Sequence, residues 1–199
     1  YKRQALRGTM AQFIKLLFSF APWLCFMFIA QGSLLRLKIG LVVALVLSVA
    51  MGALGLHRGV ILWAGLAFFG YATAAVLGFE HMWTIQHMGI LAHGTLALST
   101  WYTLAVGRPF TLEYAKDHAP REMWTHPAFI ATNNLLTGVW GAVFTLGALI
   151  AWLKMTVKVE PEWTWEVANY SLMVGCMAFT TWYPAWIKAR RLAQAKESS

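Results

Sequence analysis

GRPFTLEYAKDHAPREMWTHPAF, Gly107–Phe129, decides how the rest of the chain is read. It is the one long polar segment in an apolar protein, and it carries Arg108, Glu113, Lys116, Asp117, His118, Arg121, Glu122 and His126. The runs on either side of it are too apolar for a soluble surface. The chain therefore reads as membrane spans joined by short turns, plus one organised polar loop.

Composition supports this. Of 199 residues, 59% are apolar and only 12% are charged, whereas soluble domains carry roughly 25% charged residues. Lipid is the natural solvent for the excess apolar surface. The net charge is +8, but the basic residues sit at the ends of apolar runs, where membrane insertion and anionic lipid place them. No separate basic domain exists to bind nucleic acid. The two cysteines, Cys25 and Cys176, both lie inside apolar runs and outside any CxxC pair. They read as small buried hydrophobes.

Six runs are long enough to cross a bilayer, which takes roughly 20 helical residues. They lie at about 11–31, 37–56, 60–79, 83–106, 129–153 and 165–187. Each is continuously apolar rather than alternating, which selects helices over barrel strands. The expected fold is all-α: one transmembrane domain over residues 1–199, a bundle of six helices with short interfacial helices in the 107–128 loop. The first run lacks a small-residue cleavage site and reads as a retained span.

Lysine and arginine counting sets the orientation. With a cytoplasmic N-terminus, twelve basic residues fall inside (Lys2, Arg3, Arg7, Lys15, Arg58, Arg108, Lys116, Arg121, Lys188, Arg190, Arg191, Lys196) and four outside (Arg36, Lys38, Lys154, Lys158). Both termini and the polar loop are then cytoplasmic. Small residues recur every fourth position at Gly40, Ala44, Ser48 and Gly52, at Gly70, Ala74 and Gly78, and at Gly138/Ala142 and Gly147/Ala151. Such stripes let helix backbones approach closely. Pro22 and Pro184 are expected to bend or loosen the first and last spans.

Within the loop, Pro109 can start a helix and Thr111 can cap one, with Glu113 and Lys116 paired on one face. Pro120 opens a second turn, and His126-Pro127 opens the fifth span. Arg108, Glu113, Tyr114 and Trp124 of the loop are expected to form a network with Asn133 and Asn134 of that span. Arg108 is its keystone, because its planar fork takes two acceptors at once.

Catalytic signals are absent. Every acid lies outside the spans or at their edges, and no Walker, GxGxxG, GxSxG or HExxH pattern occurs. His118 and His126 are too few for a zinc site. One ionisable residue lies deep: His93, about ten residues into the fourth run, or roughly 15 Å at the helical rise. It reads as a neutral ring bonded to a hydroxyl or backbone carbonyl. An axial ligand to haem or chlorin, or a contact to a quinone head group or substrate, are its alternatives.

The string Gly107–Ala115, GRPFTLEYA, followed by Pro120, Trp124, Pro127, Asn133 and Trp140, resembles a GRPFTLxYA signature. A group of uncharacterised bacterial polytopic membrane proteins shares it, loosely similar to the intracellular septation protein A type. The resemblance implies a bacterial inner (cytoplasmic) membrane location and no catalytic residue.

The leading functional expectation is a non-catalytic anchor or scaffold subunit of a larger inner-membrane complex, of the redox or energy-converting kind. Its partners would be the lipid bilayer and other membrane subunits, with no cofactor required. The alternatives are a small-solute transporter or channel, and a haem- or pigment-binding redox subunit using His93. The topology makes a direct prediction. In intact cells, a cysteine placed at Glu162 labels from outside and one at Lys116 does not; the opposite pattern overturns the orientation.

Overall fold

The computed structural model describes residues 20–55, 59–117, 119–157, 161 and 163–197. Residues 11–19 of the expected first span, His57, Arg58, His118 and the acids Glu160 and Glu162 lie outside the described residues. Among those described, the chain is all-helical and contains no strand. The order is α1 (Ala21–Ile29), α2 (Leu34–Ala53), α3 (Val60–Thr73, continued by a wider π-turn over Ala74–Gly78), α4 (Met82–Gln86), α5 (Met88–Ala105), α6 (Phe110–Lys116), α7 (Pro127–Thr156) and α8 (Trp163–Glu197).

Three of these segments are long and apolar enough to cross a membrane: Leu34–Ala53, Val60–Gly78 and Pro127–Thr156. Their outward faces carry exposed Val42, Val46 and Val49, Trp63, and Leu146 and Leu149. Such faces suit lipid rather than water.

The expected fourth span is broken. It forms α4 and α5, with the interruption at His87, whose φ and ψ are −96° and 12°. The His87 ring stacks on Trp83 at 4.4 Å and its Nδ1 donates to the Trp83 carbonyl at 2.8 Å. Pro22 also differs from expectation. It lies in the first turn of α1, where a missing N–H disturbs no helical bond. Pro184 lies inside α8, which runs through it.

Close contacts order the helices. Gly89 faces Ala151, His93 faces Gly147, Trp101 faces Gly141 and Leu104 faces Gly138. Numbers rise along α5 as they fall along α7, so the two are antiparallel. Trp101 Nε1 donates to Thr145 Oγ1 at 3.1 Å along the same seam. α7 and α8 are antiparallel too, joined by Lys154 with Glu166 near one end and by Trp140 Nε1 donating to Thr180 Oγ1 at 3.0 Å. Between α2 and α3, Lys38 pairs at 3.1 Å with Glu80, two residues past the π-turn, at one end, while Gly52 meets Leu62 at the other.

The small-residue stripes now have owners. Gly138, Gly147 and Ala151 seat α5, and Gly40 seats Ala30 at the end of α1. Ala44 and Ser48 are buried in the bundle. Gly70 and Gly78 meet open space. The seam yields a prediction. A methyl group on Gly141 would stand 2.8 Å from the Trp101 ring, so Gly141→Ala should lose about 1–3 kcal/mol by overpacking. Gly70→Ala should lose nothing and can gain up to about 1 kcal/mol from helix propensity. Melting curves of the two variants in detergent compare them directly.

Candidate functional site

Two of the places where polar groups gather lie at opposite ends of the bundle. At the loop end, the expected network exists in part, with different members. Arg108 is exposed, and its backbone N–H donates to the Thr103 carbonyl at 2.9 Å; its side chain makes no hydrogen bond or ion pair to another described residue. Asn134 is exposed. Thr111 does not cap α6. It sits buried inside α6, and its hydroxyl donates to the Asn133 carbonyl at 2.9 Å, with Thr137 Oγ1 also 2.9 Å away. Asn133 Nδ2 donates to the Phe129 carbonyl one turn back. The clasp between loop and α7 is therefore made of hydroxyls and a backbone carbonyl, where an arginine fork was expected.

Glu113 and Lys116 part company as well. Lys116 Nζ lies 5.5 Å from the centre of the Trp124 ring, Arg121 lies 5.8 Å from it, and Trp124 Nε1 donates to Ala119 at 3.0 Å. The Glu113 carboxylate rests against Gly59 at the start of α3, where free N–H groups leave partial positive charge. Partial burial there pushes its carboxyl above the ordinary carboxylate range, against the pull of Lys116. Gly59 has φ of 129°, a conformation that L side chains avoid, and it has no Cβ to displace the carboxylate.

Aromatic rings finish this end. Phe110 is 1% exposed and meets Phe20 edge-on at 6.1 Å and Trp140 at 6.5 Å; its ring also faces Tyr114 at 6.2 Å. Phe20 stacks on Trp140 at 5.3 Å, and Phe144 leans on both. Trp140 and Phe144 have no exposed surface. These four rings form a plug.

The other end holds a cavity of about 470 Å³ between α1, α5, α7 and α8. Along three helices it occupies the stretch beyond the plug. On α1 it begins at Trp23, after Phe20; on α7 it begins at Gly147, after Trp140 and Phe144; on α8 it ends at Met173, before Cys176 and Thr180. Its α1 wall is mostly apolar, Trp23, Phe26, Met27 and Ala30, and ends at the polar Gln31. Its opposite wall is polar, because α8 contributes Glu166, Asn169 and Tyr170. With Met173, these residues recur at the spacing of one helical face.

His93 lies in this cavity. It stands five residues into α5, about 7–8 Å along the axis from that helix's start. Its Nδ1 is 2.9 Å from the Gly89 carbonyl. A carbonyl only accepts, so Nδ1 is the donor and Nε2 of a neutral ring keeps its lone pair. The ring rests against Gly147, where an added Cβ would stand 2.8 Å from Nε2. The Asn169 side chain faces the ring from α8. At the rim, Lys154 Nζ donates to Glu166 Oε1. Glu166 Oε2 is buried without a hydrogen-bond partner. Among the described residues, no group of three or more His, Cys, Asp and Glu is placed to hold a metal ion.

No known family, curated protein or solved structure matches this chain. The likeness of the Gly107–Trp140 stretch thus assigns no family, and function is argued from the site.

Asn169, Tyr170 and the Lys154–Glu166 pair were missing from the sequence candidates. Their signal was the E-x-x-N-Y-x-x-M spacing at the start of the last helix, a polar stripe inside an apolar run. The loop clasp carries its own prediction. Thr111→Val keeps the shape and removes the hydroxyl, so it should lose about 1–2 kcal/mol, the usual scale of a hydrogen bond. Arg108→Lys should leave the melting temperature in detergent unchanged.

Proposed function

We propose that this protein binds a small amphipathic molecule inside its bundle, as a membrane carrier or receptor of that molecule. The cavity between α1 and α8 carries this reading: about 470 Å³, within the range of small-molecule sites, with an apolar wall and a few convergent polar groups. The aromatic plug closes it on the loop side, so its occupant enters from the opposite end or from the lipid. The reading belongs to the transport class rather than to a scaffold. The stripes on α2 and α7 that favoured a scaffold pack inside this chain, so they no longer call for a second subunit.

In this reading α1, α4–α5 and α8 complete a six-span bundle in a bacterial inner membrane, with the polar loop cytoplasmic. A haem or chlorin at His93 is the less favoured reading, since Nε2 is covered by Gly147 and faced by Asn169.

Native mass spectrometry of protein released gently from detergent tests the proposal. The wild type should carry a non-covalent adduct of drug-like mass. Met173→Trp, which fills the cavity from α8, should lose that adduct while remaining folded. A wild type free of any adduct, or an adduct retained undiminished by Met173→Trp, overturns the reading.

A further inference from the structure

We infer that the occupant of this cavity is a single-chain lipid, which slides in sideways from the neighbouring leaflet between α1 and α8. The inference rests on the cavity reading above and names the class of occupant and its route.

Depth comes first. On α7 the lining runs from Gly147 to Met155, and on α8 from Trp165 to Met173. Each stretch covers a rise of about 12 Å. Half of a hydrocarbon core is about 15 Å. The cavity is therefore nearly as deep as one leaflet, and the plug forms its floor where the chains of that leaflet end.

Polarity follows depth. The rim carries Gln31, Gln86, Lys154 and Glu166, while the floor is made of Trp23, Leu96 and Met173. Between them, His93 Nδ1 donates to the Gly89 carbonyl at 2.9 Å and Asn169 faces the His93 ring. At the rim, Gln31 Nε2 donates to the Met27 carbonyl at 2.9 Å, and Lys154 Nζ to Glu166. The deep part thus suits hydrocarbon, which leaves no polar group of its own to satisfy, and a head group stays at the rim. A volume of about 470 Å³ is that of a drug-sized site, the scale of one chain with its head rather than of a diacyl lipid.

The side wall supplies the route. Among the described residues, α1 packs chiefly on α2, and α8 on α7. Between α1 and α8, the rings of Phe28 and Tyr170 stack at 5.7 Å, 9° from parallel. Tyr170 lines the cavity, and Phe28 is 63% exposed. A pair of stacked rings thus stands between the cavity and the outer surface of the bundle. Swinging them apart costs an aromatic contact and moves no helix.

Three photoreactive diazirine probes test this in phosphatidylcholine nanodiscs: a monoacylglycerol and a diacyl phosphatidylcholine labelled at the same chain carbon, and a water-soluble diazirine butanol. Adducts are located by peptide mass spectrometry. The monoacylglycerol should mark Met27 and His93, and Met173→Trp should abolish that marking while adducts on the outward Val46 and Leu146 persist. The comparison of one chain with two in the wild type needs no variant. Phe28→Ala thins the side wall and leaves the lining intact, so it should hasten the marking of Met27 after the probe is added; an unchanged rate overturns the side route. If the diacyl lipid marks Met27 and His93 as fully as the monoacylglycerol, or the butanol probe alone marks them, the single-chain lipid is wrong and the cavity reading stands. If no probe marks them, or Met173→Trp leaves the marking unaltered, both are wrong.

Discussion

Everything in this bundle depends on how closely α5 and α7 approach. Lipid tails are as apolar as leucine, so helices in a membrane gain little from burying hydrophobic surface against each other; close packing and hydrogen bonds must hold them. The seam achieves this by setting large rings on bare backbone: Trp101 on Gly141 and His93 on Gly147. α7 is the longest of the three segments apolar enough to span. Fixed against α5, it presents Asn133 and Thr137 to the loop at one end, and Gly147, Ala151 and Lys154 to the cavity at the other.

The same solvent constraint explains why so few polar groups face the cavity. Ser48, Thr95, Ser99, Thr132, Thr145 and Thr180 all donate to carbonyls four residues back on their own helices. Hydroxyls satisfied in this way need nothing from a ligand and can face lipid or protein alike. A side chain in the bundle with a buried atom still seeking a partner therefore stands out. Glu166 Oε2 is one; Thr73 Oγ1 and Thr100 Oγ1 are the others among the described residues.

The helical class and most element positions were legible because continuous apolar runs leave the backbone only one way to satisfy itself. The break at His87 was not, since nothing in the run Trp83–Val106 signals a stop: no proline stands there, and Gly89 follows the break. The loop's two turns, α6 and the short 3-10 turn Arg121–Met123, were legible from Pro109, Pro120 and Pro127. Its fastening was not, because the eye goes to charge. Arg108 and Asn134 invite partners, yet a snorkelling arginine and an exposed amide are content at an interface, and the neutral Thr111 makes the bond. His93 was visible as a lone deep histidine. Its neighbours were hidden because they come from helices far apart in sequence, and only tertiary packing brings Asn169 and Gly147 to the same ring. The stripes on α2 and α7 were correctly seen as packing faces, while the one at Gly70 and Gly78 meets no neighbour in this chain.

The plug of Phe20, Phe110, Trp140 and Phe144 also has an electrical consequence. Among the described residues its rings are buried, so in the proposed reading the layer they fill leaves no gap for a file of waters to carry protons. Any voltage across the membrane then drops mostly over this dry layer, where each elementary charge is worth about 2.3 kcal/mol per 100 mV. The cavity beyond it sits close to the potential of its own side. In the proposed reading, a molecule could then dwell there without opening a leak in the barrier that the membrane maintains.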